Sequence, residues 1–329
     1  MNRDHILSAL TLCITLAVIF LCAEAYVRLY VDDGMQFDLE MWKYARLVKE
    51  PSNDPRLGYV HAANRHLRLM GVEFNTNSKG LRDREFDYAR TPGTLRIVML
   101  GDSLTVGWGV PLEETFPKRI EGKYRDINVA AEVINTGVGN YNSIQEVEYF
   151  MQEARKYSPD IVVLNFFVND AEPTPKSRRT NLFDVICSSC IFLAGRLDTA
   201  RRLISADQDW AGYYLDLYRD GSTKGWLDAK QAIKNLASYC KANKIVLLIA
   251  SLPELHDVKN YRFQRVTDLL RQTAAETDTP FVDLLPYLQD QEASTLWVSP
   301  TDPHPNGFAD ALIANGLFAA LHNLPGAVQ

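Results

Sequence analysis

The chain of 329 residues carries 35 Lys+Arg against 41 Asp+Glu, a formal net charge of −6, with 47% hydrophobic residues and only 18 Gly and 15 Pro. That composition supplies one sizeable core and excludes a disordered, collagen-like or cysteine-scaffolded chain. The acidic balance, without a long Lys/Arg run, argues against a nucleic-acid partner, because neutralising phosphates needs clustered cations. A mean hydropathy of −0.17 excludes a multi-span membrane protein and leaves room for one span.

That span is Ile6–Ala23, 18 residues without a charge, with Ser8, Thr11 and Thr15 its only polar members. As a helix rising ~1.5 Å per residue it reaches about 27 Å, enough for a hydrocarbon core. An uncleaved signal anchor over residues 1–25 is favoured, because the apolar run exceeds the ~7–15 residues of a usual signal h-region. The alternative is cleavage near Ala25, at the A-x-A-like Ala23-Glu24-Ala25. Cys22 makes a poor lipid-attachment site behind bulky Phe20-Leu21. Either reading exports residues 30–329; the anchor gives a single-pass inner-membrane protein with its domain in the periplasm.

Residues 26–93 are rich in charge and turn residues and read as a juxtamembrane stalk and lead-in. From 94 to 329 the pattern becomes regular. Short apolar runs stop at turn residues: Leu95–Leu100, Val133–Asn135, Ile161–Phe167, Ile245–Ala250 and a weaker Phe281–Leu284. Such runs suit strands buried on both faces. Helical patterns lie between them, at Glu114–Tyr124, Ser143–Tyr157, Trp226–Ala242, Tyr261–Thr277 and Gly307–Leu321. Strand-helix alternation predicts a parallel five-stranded α/β sheet with right-handed crossovers. Residues 171–225 interrupt the rhythm. Their length and the apolar stretch Leu182–Leu197 predict a helical insertion, either a lid over the strand ends or a surface subdomain without a catalytic role.

In a parallel α/β sheet the ligand site lies at the carboxyl ends of the strands. Those ends deliver Gly101-Asp102-Ser103-Leu104, then Asn135 to Asn142, then Val168-Asn169-Asp170, and a late loop delivers Thr301 to Gly307. Together they hold what acyl-ester chemistry needs. Ser103 can attack a carbonyl once a base takes its proton, and His304 can be that base. Asp302, two residues away, can orient and stabilise the imidazolium. The backbone N–H groups of Ser103 and of Gly139 or Asn140, with the Asn169 amide, can donate to a tetrahedral oxyanion. Asp102 and Asp170 read as structural. His256, beside Glu254, is the one rival base near the mouth. This chemistry requires no metal or organic cofactor.

These blocks resemble the SGNH/GDSL hydrolase superfamily over about residues 80–322. They read GDSL (101–104), GVGNYN (137–142), FVND (167–170) and DPHPN (302–306). The lead-in Asn77-Ser78-Lys79-Gly80-Leu81-Arg82 is similar to exported, membrane-anchored bacterial members. The resemblance implies a flavodoxin-like three-layer α/β/α fold and ester hydrolysis or acyl transfer. Three positions depart from the family pattern. Asn140 stands where the second-block Gly falls, Phe167 replaces the third-block Gly, and the last block is D-x-H rather than D-x-x-H. Export and resemblance together suggest an acylated envelope or extracellular glycan as substrate, with acetyl the favoured acyl group and polysaccharide-assembly proteins as candidate partners. A membrane-surface lipase, lysophospholipase or thioesterase is the second enzyme reading. A non-catalytic glycan-binding or assembly protein is the third.

Trp108, Tyr141 and Phe167 are candidate substrate-lining residues, with core packing an equal reading for Phe167. Cys187-Ser188-Ser189-Cys190 reads as a local disulfide or free thiols rather than a redox or zinc motif, since zinc needs more ligands than are in view.

Overall fold

The computed structural model describes residues 3–174, 187–204 and 210–324. Helix α1 (Arg3–Tyr26) runs on through a π-helical turn, Val27–Val31. Together they form 29 residues that contain an 18-residue window of mean hydropathy 2.7, none of it buried. Helix α2 (Phe37–Leu47) follows, its first turn capped by the Gln36 side chain on the Leu39 N–H at 2.8 Å. Two small antiparallel pairs complete the lead-in: β1 (Lys49–Pro51) with β2 (Tyr59–His61), and β3 (His66–Leu69) with β4 (Val72–Asn75).

The central sheet then begins. In chain order it comprises β5 (Leu95–Leu100), β6 (Ala131–Asn135), β7 (Ile161–Phe166), β8 (Val246–Ser251) and β9 (Phe281–Asp283). All neighbours are parallel, in the order β6-β5-β7-β8-β9. Renumbered within the sheet this is 2-1-3-4-5, the flavodoxin-like order. All of β7 is buried, which is why its sequence shows no polar alternation. One face packs on α5 (Ser143–Gln152), α8 (Lys224–Ala242) and α9 (Gln264–Glu276) through Val147, Phe150, Ile233, Leu236 and Leu270. The other packs on α4 (Phe116–Asp126) and α10 (Gly307–His322) through Ile120, Ile313 and Leu317. The result is the expected three-layer α/β/α architecture.

Element limits differ from the sequence reading at two places of note. The pattern over Ser143–Tyr157 is not one helix: α5 stops at Gln152 and the chain tightens into a 3-10 turn, Ala154–Tyr157. Pro159 follows, and the residue before a proline is driven out of the helical region. The insertion read over residues 171–225 falls in part on residues 175–186 and 205–209, which lie outside the described residues. Its described helices include α6 (Ser188–Ile204) and α7 (Trp210–Asp216). Helix α6 lies against α1, the π-helical turn and α2, not directly over the strand ends.

The start of α6 is tied to α1. The Glu24 carboxylate accepts from the Ser188 N–H at 3.0 Å, the Ser189 N–H at 2.9 Å and the Ser189 hydroxyl at 2.7 Å. A carboxylate there meets the free N–H groups of a helix N-terminus. Cys187 and Cys190 form a disulfide. Cys187 precedes the helix by one residue, so the bridge closes the helix entry rather than sitting inside regular turns.

The lead-in is bolted to the sheet by neighbouring buried residues. Arg82 donates to the carbonyls of Val106 (2.9 Å), Gly107, Val110 (2.6 Å) and Glu73 (3.0 Å). Asp83 pairs with Lys118 at 2.8 Å and accepts from the Asn135 N–H at 3.0 Å. Asn77 turns the chain into this segment, its side-chain oxygen accepting from Lys79 and Leu81 N–H groups at 2.9 and 3.0 Å.

The loop after β6 approaches the turn after β5 through Gly137. A Cβ there would stand 2.4 Å from the Val106 nitrogen and 2.9 Å from the Thr105 carbonyl carbon, both backbone. Gly137→Ala therefore forces the two loops apart and lowers the unfolding free energy by about 1–3 kcal/mol. Urea unfolding checks this, and an unchanged midpoint would refute the close approach.

Candidate active site

Strand β5 ends at Gly101, whose φ is 157° and where a Cβ would meet the Thr105 hydroxyl at 2.0 Å. Asp102 then caps the four-residue helix α3 (Ser103–Val106), its carboxylate accepting from the Leu104 N–H at 2.9 Å. Ser103 is the first residue of α3 and keeps 6% exposure. No protein acceptor takes its N–H among the described residues.

The late block is not a bare loop. It forms a hairpin of β10 (Trp297–Ser299) and β11 (Asp302–Pro305), after which Asn306 caps α10. Side chains two residues apart on a strand share a face. The D-x-H spacing thus puts Asp302 and His304 side by side. His304 Nδ1 lies 2.5 Å from Asp302 Oδ1, and His304 Nε2 lies 2.9 Å from the Ser103 hydroxyl. Serine, imidazole and carboxylate form one connected line.

Trp108 departs from its expected place. It is 1% exposed and donates its indole N–H to Asp302 Oδ2 at 2.9 Å, so it supports the carboxylate instead of lining a subsite. Phe167 is partly buried and packs against both core faces. Tyr141 is also buried, yet its edge reaches a cavity of about 330 Å³ beside the site. Lys49, Tyr59, Asn140, Asn169 and Glu172 line the same cavity. A larger space of about 550 Å³ opens between α8, α9 and the start of β8, away from Ser103. His256 pairs with Glu254 and stacks 4.2 Å from the Trp210 ring, leaving His304 as the imidazole on Ser103.

Of the expected oxyanion donors, Gly139 is corrected. Its N–H donates to the Tyr44 hydroxyl at 2.8 Å and is occupied. Asn140 has φ 63°, is exposed, and its N–H meets no protein acceptor among the described residues. Asn169 donates one amide N–H to Asp102 Oδ2 at 3.0 Å, which orients the amide and leaves its second N–H. Asp170 is buried and accepts from the Ser143 hydroxyl at 2.8 Å, the structural role read from the sequence.

Sequence reasoning missed the lead-in's part in this site. Phe37, at the start of α2, stands 6.1 Å from the His304 ring. Tyr44 holds Gly139, and Lys49 donates to the Gly139 carbonyl at 2.7 Å. The two contacts at Gly139 join residues 90 and 95 positions apart, Phe37 and His304 are farther apart still, and no local pattern announces them.

A sequence model described as the GDSL-like Lipase/Acylhydrolase family matches residues 99–310. The chain belongs to that family. This GDSL-like acylhydrolase matches none of the curated proteins compared with it. Among solved structures it is similar to TesA, with 13% identity, TM-score 0.46, and coverage of 69% of this chain and 98% of that one. It is similar to Axe2, an acetylxylan esterase from Geobacillus stearothermophilus, with 13% identity, TM-score 0.47, and 71% and 96% coverage. A two-domain esterase active on acetylated mannans gives 17% identity, TM-score 0.45, and 70% and 49% coverage.

The electrostatics of the acylhydrolase site are asymmetric. Burial pushes the Asp302 carboxyl up, but the hydrogen bonds and charge of His304 outweigh it and hold its pKa below the usual carboxylate value. Burial pulls His304 down, yet the Asp302 hydrogen bond and charge, with Asp102 behind, raise it above an ordinary histidine. Removing the Asp302 charge leaves burial in control. In Asp302→Asn the His304 imidazole therefore titrates at lower pH than in the parent chain. An NMR titration reads this directly, and an unmoved midpoint would sever the pairing.

Proposed function

We propose that this ester hydrolase works as a serine esterase through an acyl-enzyme, removing or transferring acetyl or similarly small acyl groups on an envelope or extracellular glycan. The observation that carries the reading is the unbroken line from Ser103 to His304 to Asp302, at 2.9 and 2.5 Å. Ser103 Oγ attacks the ester carbonyl while His304 Nε2 takes its proton. Asp302 stabilises the resulting imidazolium. The oxyanion receives the Ser103 N–H, the Asn140 N–H and the remaining Asn169 N–H, each donor of this type contributing roughly 10²–10³ in rate. His304 then protonates the leaving alkoxide. Water, or a sugar hydroxyl in the transfer reaction, attacks the acyl-enzyme with His304 again as base.

The neighbouring cavity favours a glycan over a lipid. Lys49, Tyr59, Asn140, Asn169 and Glu172 give it hydrogen-bonding walls, where an acyl tail needs an apolar channel. The 6% exposure of Ser103 suits a small acyl group. The departures at Asn140 and Phe167 motivate the non-catalytic reading, and the Ser103–His304 hydrogen bond argues against it.

The apolar helix is read as an anchor, with the acylhydrolase domain on the periplasmic side. In support of the anchor, the Glu24 contact ties the end of α1 to α6, which packs on the π-helical turn and leaves Leu193 and Leu197 exposed, as Leu29 and Tyr30 of that turn are. Such an apolar rim suits a domain resting at a bilayer surface. In spheroplasts of a Gram-negative host, added protease digests this domain; protection until lysis would put it in the cytoplasm.

Ser103→Ala removes the nucleophile without touching the core. Turnover of an acetyl ester falls at least ~10³-fold while the melting temperature stays within the error of the parent. A fluorophosphonate probe labels Ser103 in the parent and fails in His304→Ala. Retained turnover in Ser103→Ala, or labelling independent of His304, would overturn the mechanism.

A further inference from the structure

Both backbone groups of Gly139 are held by the lead-in. Its N–H donates to the Tyr44 hydroxyl, which donates onward to His61 Nε2 at 2.6 Å, while His61 Nδ1 donates to the Gly80 carbonyl at 3.2 Å. Its carbonyl accepts from Lys49 Nζ at 2.7 Å and from the Tyr59 hydroxyl at 3.1 Å. Lys49 also donates to the Asn140 side-chain oxygen at 3.2 Å. Its ammonium lies over the Tyr59 and Tyr44 rings, 4.1 and 4.7 Å from their centroids. No carboxylate pairs with Lys49 among the described residues.

The Gly139 carbonyl and the Asn140 N–H are two ends of one planar unit. In a trans peptide they point in opposite directions. Two donors on the oxygen therefore fix where the N–H points, and a cation there draws electron density from the nitrogen and makes that N–H a stronger donor. Asn140 is left-handed, at φ 63°, a conformation asparagine adopts more readily than other non-glycine residues, so the turn presents its N–H without large strain.

We propose that Lys49, seconded by Tyr59, is a positioning residue of the reaction: it aims and polarises the Asn140 N–H that receives the oxyanion. This rests on the serine-esterase reading and on Asn140 as one of its donors. Lys49 lies fifty residues before the stretch that defines the family match, so the lead-in contributes to catalysis rather than merely linking the domain to its anchor.

The charge on Lys49 gives the proposal a signature. Burial lowers its pKa to about 7. The groups facing it stay neutral there: burial lowers His61 to about 3, and burial raises the Tyr44 and Tyr59 phenols. Glu172 lies across the shared cavity, and Asp102 acts on both tyrosines from behind. The proposed step needs His304 without its proton and Lys49 with its own, so activity climbs with the first titration and falls with the second, where Lys49 loses its charge at about 7 and the pull on the carbonyl weakens. The kcat profile is thus bell-shaped, with the falling limb belonging to Lys49.

The test uses the full chain in detergent with p-nitrophenyl acetate. In Lys49→Met, kcat at the optimum falls roughly tenfold or more, KM stays within about twofold, and the falling limb disappears. Lys49→Arg keeps a charge that does not titrate, recovers most of the rate and also lacks the limb. Tyr59→Phe lowers kcat less and keeps the limb. An unchanged kcat in Lys49→Met, a loss confined to KM, or a falling limb that survives in Lys49→Arg would overturn the proposal. If Lys49→Met does not fold, the Lys49→Arg profile decides. Ser103→Ala is measured in parallel. Activity there refutes the serine-esterase reading itself, whereas an inactive Ser103→Ala beside a parent-like Lys49→Met refutes only the positioning role.

Discussion

The Arg82 guanidinium holds the turn on which the site is built. Helix α3 has four residues, too few to be stable by itself. A helix that short consists of ends, with free N–H groups on one side and free carbonyls on the other. Asp102 answers the first need through the Leu104 N–H, and Arg82 answers the second through the Val106 carbonyl while pinning the Gly107 and Val110 carbonyls just beyond the helix. The arrangement costs free energy in isolation: burial brings even this guanidinium down to about 10. Removing Arg82 leaves buried carbonyls without a donor, each of which generally costs about 1–3 kcal/mol. The gain is a fixed Ser103, which must meet an imidazole 201 positions away in the chain.

The same reasoning extends to the rest of the lead-in. Residues 99–310 carry the family pattern, yet Phe37, Tyr44, Lys49, Tyr59, Arg82 and Asp83 all reach this site's loops or side chains from before it. A continuous run of contacts joins the apolar helix to His304. Glu24 grips the start of α6, Arg196 of α6 pairs with Asp38 of α2 at 2.6 Å, and Phe37 beside it stands over the imidazole. Placement of the apolar helix and geometry of the site are therefore parts of one packing problem. Among the described parts of the insertion, α6 reaches the site through α2, while Glu172 lines the neighbouring cavity directly.

What was legible in the sequence follows physical range. Strand β7 could be read because both its faces are buried, which makes IVVLNF continuous. The GDSL turn could be read because a strand end, a glycine and an N-cap fall within four residues. Boundaries such as Gln152 depended on a 3-10 turn before Pro159 and were less visible. Trp108 looked like a lining aromatic because composition cannot tell an exposed indole from one whose N–H is bonded to a buried carboxylate. Gly139 looked like an oxyanion donor because its occupant, Tyr44, lies 95 positions upstream. Lys49 left no signal, since a lysine in a charged segment ordinarily marks a solvated face.

The unusual D-x-H block illustrates how local geometry can replace family spacing. On a strand of period two, i and i+2 project from the same face, so one intervening residue suffices where a loop would need another count. The hairpin that makes β11 a strand is thus what allows Asp302 to reach His304 Nδ1. Two buried carboxylates surround this histidine, and their environments drive them apart. Asp102, held by a helix N-terminus and an amide, stays raised by burial, whereas Asp302, bonded to the imidazole and the Trp108 N–H, is lowered. Separation of paired acids by environment is how a site assigns one of them to stabilise a cation. Asp302 is the carboxylate held low and touching the ring, so in the proposed mechanism the imidazolium formed on Ser103 attack finds its counter-charge there, while Asp102 acts on the backbone of the Ser103 turn.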